Sequence, residues 1–100
     1  MIVVHVHFTV PVAKRQTALE VLLAERTEVS QRKGCLDYLP FLDPTHDEGV
    51  GLVQRWEAEE DFVAYAGSEV FARMGKLLRP MMTSAPVSHR FDATLRNPAD

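Results

Sequence analysis

Apolar and polar residues alternate over the first ten positions of the chain. A period of two is typical of a β-strand with one apolar face, because successive side chains point to opposite faces of a sheet. The apolar positions are Ile2, Val4, Val6, Phe8 and Val10, and Val3, His5, His7 and Thr9 lie between them. The pattern predicts a first strand that ends at Pro11, with His5 and His7 facing away from the core.

Helical spacing replaces this alternation over residues 12–33, a segment rich in Ala, Leu, Glu, Arg and Lys. The positions that recur at this spacing are Leu19, Leu22, Leu23, Arg26 and Val29. Gly34 is a typical residue for the position just after a helix. We therefore predict one helix over 12–33.

Two further strands are predicted over residues 35–42 and 50–57, joined by a turn that begins at Asp43-Pro44 and reaches Gly49. Pro40 cannot donate a hydrogen bond to a neighbouring strand, which favours an edge position for the strand that contains it.

The remainder of the chain predicts two helices and a last strand. Acidic residues at 59–61 suit the positive end of a short helix that ends near Gly67, and Ser68 is a good N-cap for the next helix. The apolar stripe of that next helix is Val70, Phe71, Met74, Leu77 and Leu78. In the last strand, His89 alternates in phase with Val87, Phe91 and Ala93, so we expect it on an apolar face that points inward. Residues 95–100 are predicted to form a loose tail.

The element order is βαββαβ with a broken second helix. This order predicts an α+β, ferredoxin-like single domain over 1–100, with a core over 2–94 and helices on one face of an antiparallel sheet. The other face would carry Val3, His5, His7 and Thr9, which are too apolar in part to be left in water. We therefore expect a homodimer formed through the open sheet face.

Composition narrows the classes of partner. The chain has 46% apolar and 25% charged residues, as globular proteins do, and its net charge of −3 argues against a nucleic-acid partner. Cys35 is the only cysteine, so no intrachain disulfide is expected and a reducing compartment fits best. No signal-like start and no apolar run of about 18 residues is present, so we predict a cytoplasmic protein without a membrane partner.

Several short segments together resemble the antibiotic biosynthesis monooxygenase (ABM) family of dimeric α/β barrels. They are Gly34-Cys35-Leu36-Asp37-Tyr38, the Asp43-Pro44 turn, Arg55-Trp56-Glu57, Phe62, Ser68-Glu69-Val70-Phe71 and the strand after Pro86. The resemblance covers roughly residues 2–94. It implies a homodimer of ferredoxin-like units, and the family's characterised enzymes oxygenate anthrones or quinols, or degrade haem.

The chain departs from these relatives at several positions, including the strand-one asparagine of the haem-degrading members, which is absent here. Many quinol-type members carry histidines in the segment that here spans residues 65–70, and this chain has none there. The haem-degrading members have their iron ligand where this chain has Gly75, and a glycine cannot ligate iron. Haem binding or degradation is therefore the less favoured reading.

The resemblance and the residue types together give candidate site residues. Oxygenation without a cofactor requires an apolar cavity, a group that takes the phenolic proton and a donor for the developing oxyanion. The catalytic candidates are Trp56, His89 as the base and Tyr65 as a donor, each of which also has a purely structural interpretation as core packing. The candidates for substrate contact are Phe62, Phe71 and Met74, which are otherwise core residues.

No metal or cofactor is predicted. His5 and His7 could present two imidazoles to one ion, but a transition-metal site needs further ligands. A glycine-rich phosphate loop, a dinucleotide fingerprint and a hydrolase elbow are all missing from the sequence. Arg55 and Arg90 are expected opposite to Trp56 and His89, near Asp37 or Asp92.

The sequence thus supports a cofactor-independent monooxygenase acting on a small phenolic, anthrone or quinol-like molecule. The alternative is a non-catalytic small-molecule-binding or stress-response accessory protein on the same fold, which the missing histidines favour.

Overall fold

The computed structural model describes residues 1–97, and the predicted element order is confirmed. The strands are β1 (Ile2–Thr9), β2 (Cys35–Leu42), β3 (Gly49–Trp56) and β4 (Val87–Asp92), and the helices are α1 (Arg15–Val29), α2 (Glu59–Ala66) and α3 (Glu69–Leu78). The α+β, ferredoxin-like class is therefore confirmed. The last three residues of the predicted loose tail, 98–100, lie outside the described residues.

The sheet is antiparallel with the strand order β2-β3-β1-β4. This order places β2 at an edge, as Pro40 predicts, and β4 at the other edge. The sheet is open rather than closed on itself, so a closed barrel would require a second copy of the chain.

The first helix is shorter than predicted. The chain forms a 3₁₀ turn over Val12–Lys14 before α1 begins at Arg15, and α1 ends at Val29 rather than at residue 33. The buried positions of α1 are Ala18, Leu22, Glu25 and Val29. Leu23 and Arg26 therefore do not belong to the buried stripe, and Arg26 instead donates from Nε to the carbonyl oxygen of Tyr38 on β2 at 2.9 Å.

Gly34 allows the chain to enter β2. Its φ is 81°, in the left-handed region that side chains disfavour, and its carbonyl oxygen accepts a hydrogen bond from the N–H of Glu57 at 2.8 Å. The segment that joins α1 to β2 is therefore fixed against the end of β3.

The helices cover one face of the sheet, which we call the helix face. Its buried residues on the central strands are Ile2, Val4, Phe8, Val50, Leu52, Gln54 and Trp56. The opposite, open face carries Val3, His5, His7 and Thr9 on β1, as predicted. The alternation of β1 therefore assigns both faces correctly.

The orientation of β4 is the reverse of the prediction. His89 lies directly opposite His5 in the β1–β4 register, so both side chains lie on the open face. Arg90 lies opposite Val4 and therefore faces the helices, where its guanidinium lies 5.1 Å from the ring centroid of Phe62. The prediction that His89 faces inward is wrong, because the apolar side of β4 is its open side.

Candidate functional site

An apolar cavity of about 160 Å³ lies between the helix face of the sheet and α3. All three helices, three of the strands and the connection from α3 to β4 contribute to its wall. The lining residues are Val4, Val6, Phe8, Leu22, Leu52, Gln54, Phe62, Phe71, Met74, Gly75, Leu78, Arg79, Met82, Pro86 and Ser88. This cavity is the best candidate for a ligand site because it is partly enclosed and largely apolar, with few polar groups.

Helix α3 owes its position to a clear local signal. Ser68 is its N-cap, and the Ser68 Oγ accepts a hydrogen bond from the N–H of Phe71 at 3.3 Å. Val70, Met74 and Leu78 then recur at helical spacing and are buried against the sheet. The cap and the apolar stripe together direct Phe71 and Met74 to the cavity.

The polar side chains in the cavity wall come from Gln54, Arg79 and Ser88. Gln54 is only 2% exposed, whereas Arg79 is an exposed residue that follows α3. The buried amide therefore belongs to the interior of the site, and the guanidinium supplies a positive charge at its border.

The Gln54 amide is oriented by Trp56. The indole Nε1–H of Trp56 donates to Oε1 of Gln54 at 2.9 Å, and both side chains are buried. An indole nitrogen is only a donor, so its partner must be the oxygen of the amide. Consequently the amide NH₂ of Gln54 is the end that can donate to a ligand.

Trp56 and Tyr65 lie behind the cavity wall rather than in it. Their rings stack with centroids 5.3 Å apart, and Tyr65 also contacts Phe71 edge to face at 5.4 Å. Trp56 contacts Phe62 in the same way at 6.2 Å. The two residues thus support the aromatic part of the wall, and the hydrogen bond to Gln54 is the polar link between Trp56 and the cavity.

The hydroxyl of Tyr65 is buried and lies near that of Tyr38, but it makes no well-formed hydrogen bond within the part of the chain that the structure describes. Burial raises the pKa of Tyr65 to about 12, so the phenol stays protonated at neutral pH. Burial also raises the pKa of Tyr38, whose hydroxyl donates to Met74 Sδ at 3.2 Å. Neither phenol is a base at neutral pH.

The structure therefore groups the predicted site residues into three sets. Phe62, Phe71 and Met74 line the cavity, whereas Trp56 and Tyr65 lie one layer behind it. His89 lies on the other face of the sheet and does not share the cavity of its own protomer.

Sequence reasoning missed the three polar lining residues. For Gln54 a signal existed: it is a polar residue in the helix-face series Val50, Leu52, Gln54, Trp56, where a buried amide needs a partner. No comparable signal marks Arg79 or Ser88, because their positions depend on how the α3–β4 connection packs.

The other titratable candidates lie away from the cavity. His7 Nε2 lies 3.3 Å from Asp43 Oδ2 on the open face, and the hydrogen bonds from Thr45, followed by that from His7, lower the pKa of Asp43. Burial, followed by the charge of Asp37, raises the pKa of Cys35 and disfavours a reactive thiolate. Among residues 1–97 no three His, Cys, Asp or Glu side chains are grouped so as to hold a metal ion.

Fold and cavity define a small ferredoxin-like domain with a partly enclosed apolar site between its sheet and its helices. The family model described as antibiotic biosynthesis monooxygenase matches residues 1–77. The chain therefore belongs to the antibiotic biosynthesis monooxygenase family, and this membership supports a monooxygenase-like role.

Solved structures with the same fold come from several organisms. A protein of Caulobacter crescentus, provisionally named an antibiotic biosynthesis monooxygenase, is 24% identical with a TM-score of 0.87, covering 94% of this chain and 90% of its own. A similarly named protein of Deinococcus radiodurans is 14% identical with a TM-score of 0.88, covering 97% and 96%. A conserved protein of unknown function from Bacteroides thetaiotaomicron is 19% identical with a TM-score of 0.82, covering 90% and 94%.

These similarities establish the fold and do not identify a substrate. A comparison with curated proteins found no match. Within residues 1–97, no helix has both the length and the apolar composition needed to cross a lipid bilayer.

Proposed function

We propose that this protein is a cofactor-independent monooxygenase that oxidises a small phenolic or quinol-like substrate with dioxygen. The observation that carries the proposal is the partly enclosed, apolar cavity of about 160 Å³ in a chain of this family. An aromatic substrate would contact the side chains of Phe62, Phe71 and Met74, and its oxygen would meet the few polar groups of the wall.

The reaction needs no external reductant. A quinol and one dioxygen give a hydroxyquinone and one water, so one oxygen atom enters the ring and the other leaves as water. The substrate supplies all four electrons. Of its two phenolic protons and one ring proton, two end in the water and one on the new hydroxyl group. The protein's part is to hold the ionised ring next to dioxygen in a site with little water.

Arg79 is the residue that we assign to the ionised substrate. Its side chain lines the cavity and carries a positive charge, which favours the phenolate over the phenol. The phenolate, rather than the phenol, is the form that passes an electron to dioxygen. In this proposal solvent, and not His89, removes the phenolic proton, because His89 lies on the other face of the sheet.

The alternative function is non-catalytic binding of a small aromatic molecule. One observation favours it: in the part of the chain that the structure describes, the residues lining the cavity include no carboxylate and no histidine. A site of this kind can bind an apolar ligand without a group that accepts a proton.

Dioxygen uptake by the purified protein tests the proposal. The panel would contain single-ring quinols, naphthols and anthrones, with a protein-free control for autoxidation at each pH. We expect protein-dependent uptake with one oxygen atom from ¹⁸O₂ in the product and no accumulation of hydrogen peroxide. Binding without uptake across the panel would contradict the monooxygenase and support the binding protein.

Arg79→Gln gives the residue-level test. The substitution should lower the rate of dioxygen uptake. The pH at which this rate rises should also be higher than in the wild type, because the bound phenol would ionise less readily. Arg96→Gln is the matched control, since Arg96 is exposed and does not line the cavity. Equal pH profiles for the two variants would contradict the role of Arg79.

We also propose that the chain is a homodimer joined through the open face of the sheet. The family is generally dimeric, and this face exposes large apolar side chains on both edge strands. They are Leu39 at 45%, Phe41 at 41%, Val87 at 52% and Phe91 at 48%. Burying such a patch against a second copy would remove it from water.

The dimer is tested by molar mass in solution. Leu39→Lys on the open face should shift the protein towards a monomer. Leu23→Lys on α1 is the matched control, because Leu23 has the same exposure of 45% on the opposite side of the molecule. A monomeric wild type at micromolar concentration, or an equal effect of both variants, would contradict this interface.

A further inference from the structure

Gln54 is a buried polar residue in a cavity wall that is otherwise largely apolar. It is 2% exposed, and its neighbours along the helix face of β3, Leu52 and Trp56, are buried as well. A buried amide is costly unless both of its ends are satisfied. The hydrogen bond from Trp56 Nε1 at 2.9 Å satisfies the oxygen end of the amide only.

We propose that the NH₂ group of Gln54 binds an oxygen acceptor on the ligand, and that Trp56 is the positioning residue that holds the amide in this orientation. The Trp56 indole fixes Oε1 of Gln54 on the side away from the ligand, so Nε2 is the atom directed to the cavity. The ligand must therefore present a carbonyl or phenolate oxygen at the Gln54 end of the site.

The size of the cavity limits the rest of the ligand. Its volume is about 160 Å³, close to the roughly 150 Å³ of an engineered apolar cavity that binds benzene. We infer that the ligand has a single aromatic ring bearing an oxygen acceptor, and that fused three-ring anthrones are too large. This inference rests on the proposed function because both use the same cavity. It does not depend on catalysis, since a non-catalytic binding protein would select the same ligand.

Binding of two ligands of nearly the same shape tests the hydrogen bond. Acetophenone carries a carbonyl group, and α-methylstyrene has a =CH₂ group in its place. Equilibrium dialysis under nitrogen gives the ratio of their Kd values for the wild type and for each variant. Comparing ratios cancels the different costs of removing the two ligands from water.

Gln54→Met removes the donor at similar side-chain size. It should shift the Kd ratio against acetophenone by roughly 2- to 12-fold, the range for one neutral hydrogen bond. Trp56→Phe should shift the ratio in the same direction by less, because the freed amide can rotate. A purely structural Trp56 would weaken both ligands equally and leave the ratio unchanged, which would overturn its positioning role.

Ser88→Ala is the comparison variant, because Ser88 lines the same cavity and its hydroxyl is an alternative donor. The ratio should stay at the wild-type value in this variant. A shift in Ser88→Ala with none in Gln54→Met would overturn the assignment to Gln54. Binding of 2-acetonaphthone as tight as that of acetophenone would overturn the single-ring limit.

Gln54→Glu keeps the test decisive if Gln54→Met does not fold. A glutamate still accepts from Trp56 Nε1, and it can donate to acetophenone only while protonated. Acetophenone binding should then weaken as pH rises and α-methylstyrene binding should change less; equal pH dependence would overturn the proposal. If the Kd ratio shifts in the Gln54 variant but the protein takes up no dioxygen, only the monooxygenase proposal is rejected. If the protein takes up dioxygen but the Kd ratio does not shift, only the inference about Gln54 is rejected.

Discussion

Replacing Tyr65 by phenylalanine should stabilise the protein. The Tyr65 side chain is fully buried, and its hydroxyl lies near that of Tyr38 but makes no well-formed hydrogen bond among the described residues. A buried hydroxyl without a hydrogen bond costs about 1–3 kcal/mol, because it has lost its bonds to water. Phenylalanine keeps the ring contacts with Trp56 and Phe71 and removes this cost.

The expected gain is about 1 kcal/mol in the free energy of unfolding, the lower end of that range, since a small void remains where the oxygen was. For a domain of this size the gain corresponds to a rise in Tm of about 4–8 °C. Tyr38→Phe is the matched control, because the Tyr38 hydroxyl does have a partner, Met74 Sδ at 3.2 Å. It should lower stability by about 0.5 kcal/mol, the low end for a hydrogen bond, since sulfur is a weak acceptor.

Urea unfolding of the wild type and both variants measures the difference. Protein concentration must be held constant, because the stability of a dimer depends on it. The m-values should agree, so that a shift in midpoint reports stability alone. If Tyr65→Phe unfolds at lower urea than the wild type, the Tyr65 hydroxyl is hydrogen-bonded in solution, and the account of it as unpaired is wrong.

The remaining predictions also concern stability. Burial raises the pKa of Tyr65 from 10.0 to about 12, so above pH 10 the unfolded chain loses a proton that the folded chain keeps. The contribution of Tyr65 to stability should therefore fall by up to about 1.4 kcal/mol per pH unit between pH 10 and about pH 12. Urea midpoints across that window should fall less steeply in Tyr65→Phe than in the wild type, and parallel curves would contradict the raised pKa. Ser68→Ala removes the cap of α3 and should cost about 1 kcal/mol, with Ser68→Asp, which retains an acceptor, near the wild-type midpoint. Gly34→Ala should cost at least about 1 kcal/mol in thermal unfolding, because φ is 81° and a Cβ would collide with Asp61; a wild-type Tm for this variant would show that the loop shifts at little cost.

The elements with one buried face were predictable from the sequence. In β1 the residues at alternate positions are apolar, and the structure buries Ile2, Val4 and Phe8 on the helix face. In α3 a capping serine precedes an apolar stripe. The structure confirms the cap and buries Val70, Met74 and Leu78, whereas Leu77 of the predicted stripe is exposed. These signals are local, because each depends on the period of one segment and on one turn of helix.

The end of α1 was less predictable because two rules competed. Residues 30–33 are good helix formers or neutral, and Gly34 marks a stop, so the sequence extends the helix to residue 33. In the structure the chain leaves the helix after Val29 because it must turn to pair β2 with β3, and Gly34 takes the left-handed conformation in that turn. Tertiary pairing therefore overrides helix propensity here.

The composition of the site depends on contacts between distant segments. Gln54 and Trp56 are two positions apart on one strand, so their hydrogen bond is accessible to sequence reasoning once the strand is assigned. The sequence does not show that Arg79 and Ser88 lie at the cavity, because their positions depend on how residues 79–86 cross the end of the sheet. The alternation of apolar and polar residues in a strand can identify which side chains share one face of the sheet. It cannot show which residues of a long connection close a cavity.

The error at β4 has a physical cause that bears on assembly. The rule that the apolar side of a strand faces the core assumes that only one side of the sheet is covered. In β4 the apolar residues Val87 and Phe91 lie on the open face, and Ser88 and Arg90 face the helices. If the open face remained in water, this arrangement would expose the wrong side of the strand. It is the expected arrangement if a second copy covers that face, so the reversed pattern of β4 supports the dimer for the same reason that it misled the assignment of His89.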